Sequence, residues 1–357
     1  MKIEKNKKIR IIFQLILITL TIVTITYATI NMVRDKKQAT LIPTTTKHIT
    51  NMKCNTLWVG SFNLAWKELR NEIGRDIIFE GDNPEILYQL NNENYSDDML
   101  SKDSYYIKTG RMKIDLKNEI EKDLMSRKIS NRELINELDF SEDLNSYIIY
   151  ASLQKEFKFK HKFDRLADKS FEEDTELLVK YFGISSDSDT KLFENVEILF
   201  FYDNTNFAIK LLTNNNEEII LLKDSEMNSF DKIFNHMKEA TKEYTGRKKL
   251  QKGDTVSIPY IEIDTIINYD ELCGKIIKGT ENEYIKNALQ NVKFYLNETG
   301  GELKSEALIK EIFQSSYIDS LNFDFSSEFY IFMKEKDKEF PYMALKIDNT
   351  DILVEAD

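Results

Sequence analysis

At Tyr147 the hydrophobic spacing of this chain changes period, and a chain carrying both periods can be neither a helical bundle nor sheets alone. Before that point apolar residues recur at three and four positions. Trp58, Phe62, Ala65, Trp66, Leu69 and Ile73 share one helical face, and Leu116, Ile120 and Leu124 repeat the i+4 step. Asp82-Asn83-Pro84 reads as a turn between them, and Ser96-Asp97-Asp98 as a helix cap. Beyond it come strand-like blocks at 147–157, 196–202, 207–212, 219–222, 256–263, 292–296, 329–333 and 343–347, with Asn214-Asn215-Asn216 as a hairpin turn. Phe230, Ile233, Phe234 and Met237 add one helix among the strands. The expected class is α+β, with helices in the N-terminal half and multi-stranded sheets in the C-terminal half.

The chain can bury a large core. Of 357 residues 41% are hydrophobic, 22 are Phe and 17 Tyr, while Gly and Pro number only 11 and 4, which excludes disordered and collagenous classes. Residues 1–37 hold eight of the 49 Lys and Arg and two of the 61 acids, so the remainder carries a net charge of −18. Such a surface does not suit nucleic acid, whose phosphates require clustered positive charge.

Lys2, Lys5, Lys7, Lys8 and Arg10 make residues 1–10 a basic flank, and residues 11–33 then contain no charge. Those 23 residues, at about 1.5 Å each in a helix, reach across a hydrocarbon core roughly 30 Å thick. The flank orients the N-terminus inside and the body outside. Residues 11–33 are therefore expected to be a signal-anchor, a single-pass transmembrane helix in the cell membrane with an extracytoplasmic body. The alternative is a signal peptide cut near Thr26-Tyr27-Ala28, with secretion. Residues 34–53, with Pro43 and Thr44-Thr45-Thr46, read as a polar tether, and residues 54–357 as the folded domain. Cys54 and Cys273 are 219 positions apart, and spacing leaves open whether they pair.

Common catalytic signatures are absent from the sequence. It has no Gly-x-Gly-x-x-Gly, phosphate loop, His-Glu-x-x-His, Cys-x-x-Cys or Gly-x-Ser-x-Gly. Ser61 reads as a structural residue of the first helix, and His48, His161 and His236 as solvated side chains without a triad partner. Asp187-Ser188-Asp189 lacks the Gly and closing Glu of a calcium loop. No catalytic residue, metal site or cofactor is assigned.

Four segments in order resemble the serpin family. Tyr150-Ala151-Ser152-Leu153-Gln154-Lys155 through Phe159 and Phe163-Asp164 is similar to its Asn-Ala-x-Tyr-Phe-Lys-Gly-x-Trp-x-x-x-Phe-Asp strand, with Phe159 where Trp is usual. Ile198-Leu199-Phe200-Phe201-Tyr202 and Phe207-Ala208-Ile209-Lys210-Leu211-Leu212 resemble a strand pair, and Val256-Ser257-Ile258-Pro259 with Tyr269-Asp270-Glu271-Leu272 a Pro-bearing strand and the short helix after it. Val292 through Glu298-Thr299-Gly300-Gly301-Glu302 resembles the strand and hinge ending in Glu-x-Gly-Thr-Glu, and Glu328-Phe329-Tyr330-Ile331-Phe332-Met333 follows about one loop length later. The resemblance covers residues 147–350. In the Asn-x-x-x-Ser-Pro-x-Ser motif, here Asn55 through Phe62, neither serine is at its place.

The resemblance implies a serpin-like domain with an exposed reactive-type loop and no catalytic residues of its own. Its hinge would comprise Glu298, Gly300, Gly301, Glu302, Leu303, Ser305 and Ala307, with a scissile region at Phe313, Gln314, Ser315 and Tyr317. In inhibitory members the cut loop inserts into a sheet as a new strand. At period two, Gly301, Leu303, Ser305, Ala307 and Ile309 share one face, and Glu302, Lys304, Glu306, Leu308 and Lys310 the other. Inhibitors carry a run of small residues where this chain has Leu303-Lys304-Ser305-Glu306, and Leu303 in a methyl-sized slot costs about 1–3 kcal/mol. The expected function is thus a membrane-anchored, non-inhibitory binding or surface module. The alternative is an extracellular protease inhibitor. The expected partners are the membrane and an extracellular protease or other surface protein.

Overall fold

The structure, a computed structural model, describes residues 41–47, 54–93, 95, 99–113, 115–127, 140–141, 143–172, 177–224, 228–301 and 320–357. The chain divides after Thr40, and everything before that point, the expected anchor included, lies outside the described residues. Among the described residues no helix is long and apolar enough to cross a membrane.

Strands β1 (Leu41–Thr44) and β2 (Asn55–Val59) precede helix α1 (Ser61–Ile73). The helix buries Phe62, Ala65, Trp66 and Leu69, and Gly74 ends it at φ +79°, donating its N–H to the Arg70 carbonyl. Helix α2 (Glu85–Asn92) starts straight after Pro84, and β3 (Tyr105–Met112) leads to α3 (Leu116–Ser126), which buries the expected Leu116, Ile120 and Leu124. Then come β4 (Asp143–Gln154), β5 (Asp164–Ser170), β6 (Leu178–Ile184), β7 (Val196–Asp203), β8 (Asn206–Leu212) and β9 (Glu217–Lys223). Helix α4 (Phe230–Glu243) buries Phe230, Ile233, Phe234 and Met237. The last strands are β10 (Thr255–Pro259), β11 (Ile261–Asn268), β12 (Tyr284–Leu296), β13 (Asn322–Asp324), β14 (Phe329–Glu335) and β15 (Met343–Ile347).

Three sheets result, a seven-stranded one ordered β1-β2-β15-β14-β9-β8-β7 and two four-stranded ones, β13-β10-β6-β5 and β11-β12-β4-β3. Strand alternation decides which core each residue enters. In β14, Phe329, Ile331 and Met333 join the main core with Ile149, Ala151 and Leu153 of β4, while Tyr330 and Phe332 join a second core with α4. Burial on both faces explains why its first five residues, Phe329 to Met333, are all apolar. Helix α3 makes a third core with Tyr106, Ile148, Tyr150 and Leu289 on the opposite face of the β11-β12-β4-β3 sheet.

Several expectations need correction. Trp58 does not begin the first helix. It lies in β2, fully buried in the second core, while Leu57 and Val59 face the main one. Leu41–Thr44, assigned to the tether, is an edge strand running parallel to β2. The block 256–263 is two strands in different sheets, because the chain leaves one at Pro259 and Tyr260 bonds instead to Lys180 and Val354. Strands β2 and β3 accompany the helices of the N-terminal half. Cys54 and Cys273 are both free.

Candidate functional site

The two middle strands of the β11-β12-β4-β3 sheet, β4 and β12, run parallel, paired from Tyr284 opposite Ser146 to Lys293 opposite Gln154 with one register shift between Ile285 and Asn287. Their outer neighbours are antiparallel to them. A strand entering this seam from the end of β12 would therefore run antiparallel to both, with both rows of backbone groups available to it once they part.

Consecutive residues at the seam have opposite fates because their side chains leave opposite faces. Gln290 points into the main core side. Its amide donates to the Val59 carbonyl (3.0 Å) and Ser61 Oγ (2.9 Å) and accepts from the Tyr269 hydroxyl (2.9 Å). Ser61, expected to be structural, is thus an acceptor locking α1 to β12. Burial pushes the Tyr269 phenol far above its ordinary pKa, so it remains a donor. Asn291, paired with Ser152 on the other face, is fully buried, and neither end of its amide has a hydrogen-bond partner among the described residues.

Past Leu296 the chain reverses. Asn297 N–H donates to the Gly300 carbonyl (2.9 Å) and Gly300 N–H returns to Asn297 O (3.2 Å), while Asn297 Oδ1 accepts from Thr299 N–H (2.9 Å) and Oγ1 (2.6 Å). Gly301 N–H then donates to Phe157 O (2.9 Å) and Phe159 N–H to Thr299 O (3.1 Å), setting Gly300 antiparallel to Lys158. Gly300 sits at φ +130°, where a Cβ would lie 2.2 Å from the Phe157 carbonyl oxygen, and one on Gly301 would lie 2.7 Å from the Phe157 ring. The backbone at Gly300 requires glycine, and a side chain at Gly301 would have to displace the Phe157 ring. The Glu298 carboxylate is fully buried, taking a hydrogen bond from Tyr260 and facing Lys162 Nζ at 3.5 Å.

At Leu321, twenty positions after Gly301, the chain is again hydrogen-bonded to the body. Leu321 N–H donates to Asp254 (2.8 Å), a buried carboxylate also held by Arg247 and the Gln251 N–H (2.7 Å). Thr255 N–H donates to Leu321 O (3.0 Å), and Phe323 packs against Phe201 and Phe207. Just past the end of β4, Lys155 joins Glu217, Glu335 (3.1 Å) and Ser104 (2.6 Å) in a buried cluster, and Tyr342 donates to Glu217 (2.6 Å).

Of the residues assigned to the hinge, Glu298, Gly300 and Gly301 are brought together at the top of the seam. Glu302, Leu303, Ser305 and Ala307, and Phe313, Gln314, Ser315 and Tyr317 of the scissile region, lie outside the described residues. Sequence reasoning missed Gln290, Asn291, Tyr260, Arg247 and Asp254. Gln290 and Tyr260 find partners remote in the chain, Asn291 has none among the described residues, and Arg247 and Asp254 pair across seven positions that carry no motif beyond Gly253-Asp254, which reads as an ordinary turn. His236 faces Asp224 at 3.0 Å on the exposed side of α4, in keeping with a solvated side chain.

No family model matches the sequence, and no curated protein matches it in a sequence comparison. Solved structures do match. The mouse protein-Z dependent protease inhibitor is 10% identical, with a TM-score of 0.51 over 83% of this chain and 91% of its own. A tumour-suppressing serpin is 11% identical, also at 0.51, over 82% and 92%. The fold is a divergent serpin-like one, mixed α+β with few helices and several sheets.

Proposed function

We propose that this chain is an exported serpin-fold protein, held to the membrane by residues 11–33, whose body binds a partner protein without trapping a protease. One observation carries the reading. The antiparallel start at Gly300 and Lys158 sets the register that any inserting strand must follow, and on it Leu303 falls beside Lys155. An isobutyl group there would press on the buried Lys155, Glu217 and Glu335 cluster, and Lys304 and Glu306 would enter the other face beside Gln154 and Ser152. Both stems of the loop are also clamped by buried carboxylates, at Glu298 and Asp254.

A protease inhibitor is the second reading, and the same register favours it on one point. Gly301, Ser305, Ala307 and Ile309 would fall opposite Phe157, Leu153, Ala151 and Ile149, all on the main-core side. The test is to cut the loop with elastase or chymotrypsin and follow the melt and a denaturing gel. The expected result is a small shift and no covalent band. A strand's worth of new hydrogen bonds would instead raise the melting temperature by well over ~10 °C. Such a rise, or a detergent-stable complex with a serine protease, would replace the first reading by the second.

A further inference from the structure

A cleft of about 610 Å³ opens between β1, α2 and the turn that follows β11. That volume lies within the range of about 300–1,000 Å³ usual for small-molecule sites. Ile42, Ile86 and Ile267 give it an aliphatic lining, and Asp270 and Glu271 line it as well. Both carboxylates are exposed, and neither has an ion-pair partner among the described residues. Among the described residues no Lys, Arg or His lines the cleft. A second cleft of similar size, about 600 Å³ beside α1, differs in that its charges already answer one another, Arg70 to Asp76 and Arg75 to the Lys278 carbonyl (2.7 Å).

We infer that the first cleft binds a small organic cation, a primary ammonium carried on an apolar body. Hydrocarbon displaces water from the isoleucine lining, and the two uncompensated carboxylates select the positive charge over a neutral or negative head. The back wall is rigid. Tyr269 lies with its ring centroid 3.8 Å from that of Phe62, and its hydroxyl is fixed on Gln290. A bound ligand therefore rests on the residue that holds β12, so occupancy slows amide exchange in that strand. The site needs neither the loop nor the anchor of the proposed function, so failure of either leaves it standing.

The experiment titrates full-length protein by calorimetry with three matched probes, 4-phenylbutylammonium, 4-phenylbutanol and 4-phenylbutyrate. The ammonium is expected to bind about tenfold more tightly than the alcohol, and the carboxylate most weakly. Asp270→Asn with Glu271→Gln, both exposed positions, should bring the ammonium to the alcohol's affinity. Ile86→Trp should weaken all three by filling the cleft. Equal affinities in the parent chain, an ammonium preference that survives the double substitution, unchanged binding after Ile86→Trp, or no ammonium binding up to about 10 mM would each overturn the inference.

Discussion

Gln290 and Asn291 are adjacent on one strand, equally buried, and opposite in what their amides do for the fold. Replacing Gln290 with Leu strands the Ser61 hydroxyl and the Tyr269 phenol inside the protein, and should cost about 2–3 kcal/mol in chemical denaturation. The same change at Asn291 removes an amide that has surrendered water without receiving a partner among the described residues, and should stabilise by about 1–2 kcal/mol. Equal destabilisation by both would contradict the facing inferred for the strand. Glu335 gives a pH prediction. Burial raises its pKa, but hydrogen bonds from Ser101, Ser104 and Lys155 outweigh that and hold it below the usual glutamate value. A carboxyl depressed on folding adds stability above its unfolded pKa and loses it as pH falls through the folded one. Stability should therefore decline below about pH 4, and Glu335→Gln should flatten that limb of the profile. At this scale the sequence announced glycines better than amides. Gly300 can be read locally because backbone geometry demands it, whereas two of the partners of Gln290, Val59 and Ser61, lie more than 200 positions away.

The hinge turn, β4 and β12 behave as one element. Its geometry depends on a backbone conformation open only to glycine, so Gly300→Ala should lower the melting temperature and expose Phe157 to exchange. Limited proteolysis of the full chain should cut first within residues 308–322, between the clamps at Glu298 and Asp254, and first cuts confined to 82–103 would contradict that. Strands with long apolar runs, such as β14, were legible because both their faces are buried. Strand β2 was not, since Trp58 falls by chance on the periodicity of the helix that follows. Pro259 hid a change of sheet inside a continuous apolar stretch. Strands β1 and β3 escaped notice because the first is four residues long and the second is interrupted by Gly110.

For the molecule as a whole, the basic flank and the uncharged run at 11–33 predict that the full-length protein sediments with membranes and that protease added outside removes the body. Recovery solely as a soluble form beginning near residue 29 would reject the retained anchor. The seven-stranded sheet carries a further consequence. Strand β2, at the start of the described body, pairs with β15, near the C-terminus, and β14 separates β15 from β9. A ribosome delivers these strands in the order of the message, so β2 waits for its neighbour until Met343–Ile347 has been made. The central sheet cannot close on a nascent chain. Until Met343–Ile347 emerges, β2 has no neighbour on that edge, and any truncation that removes those five residues leaves β2 unpaired there.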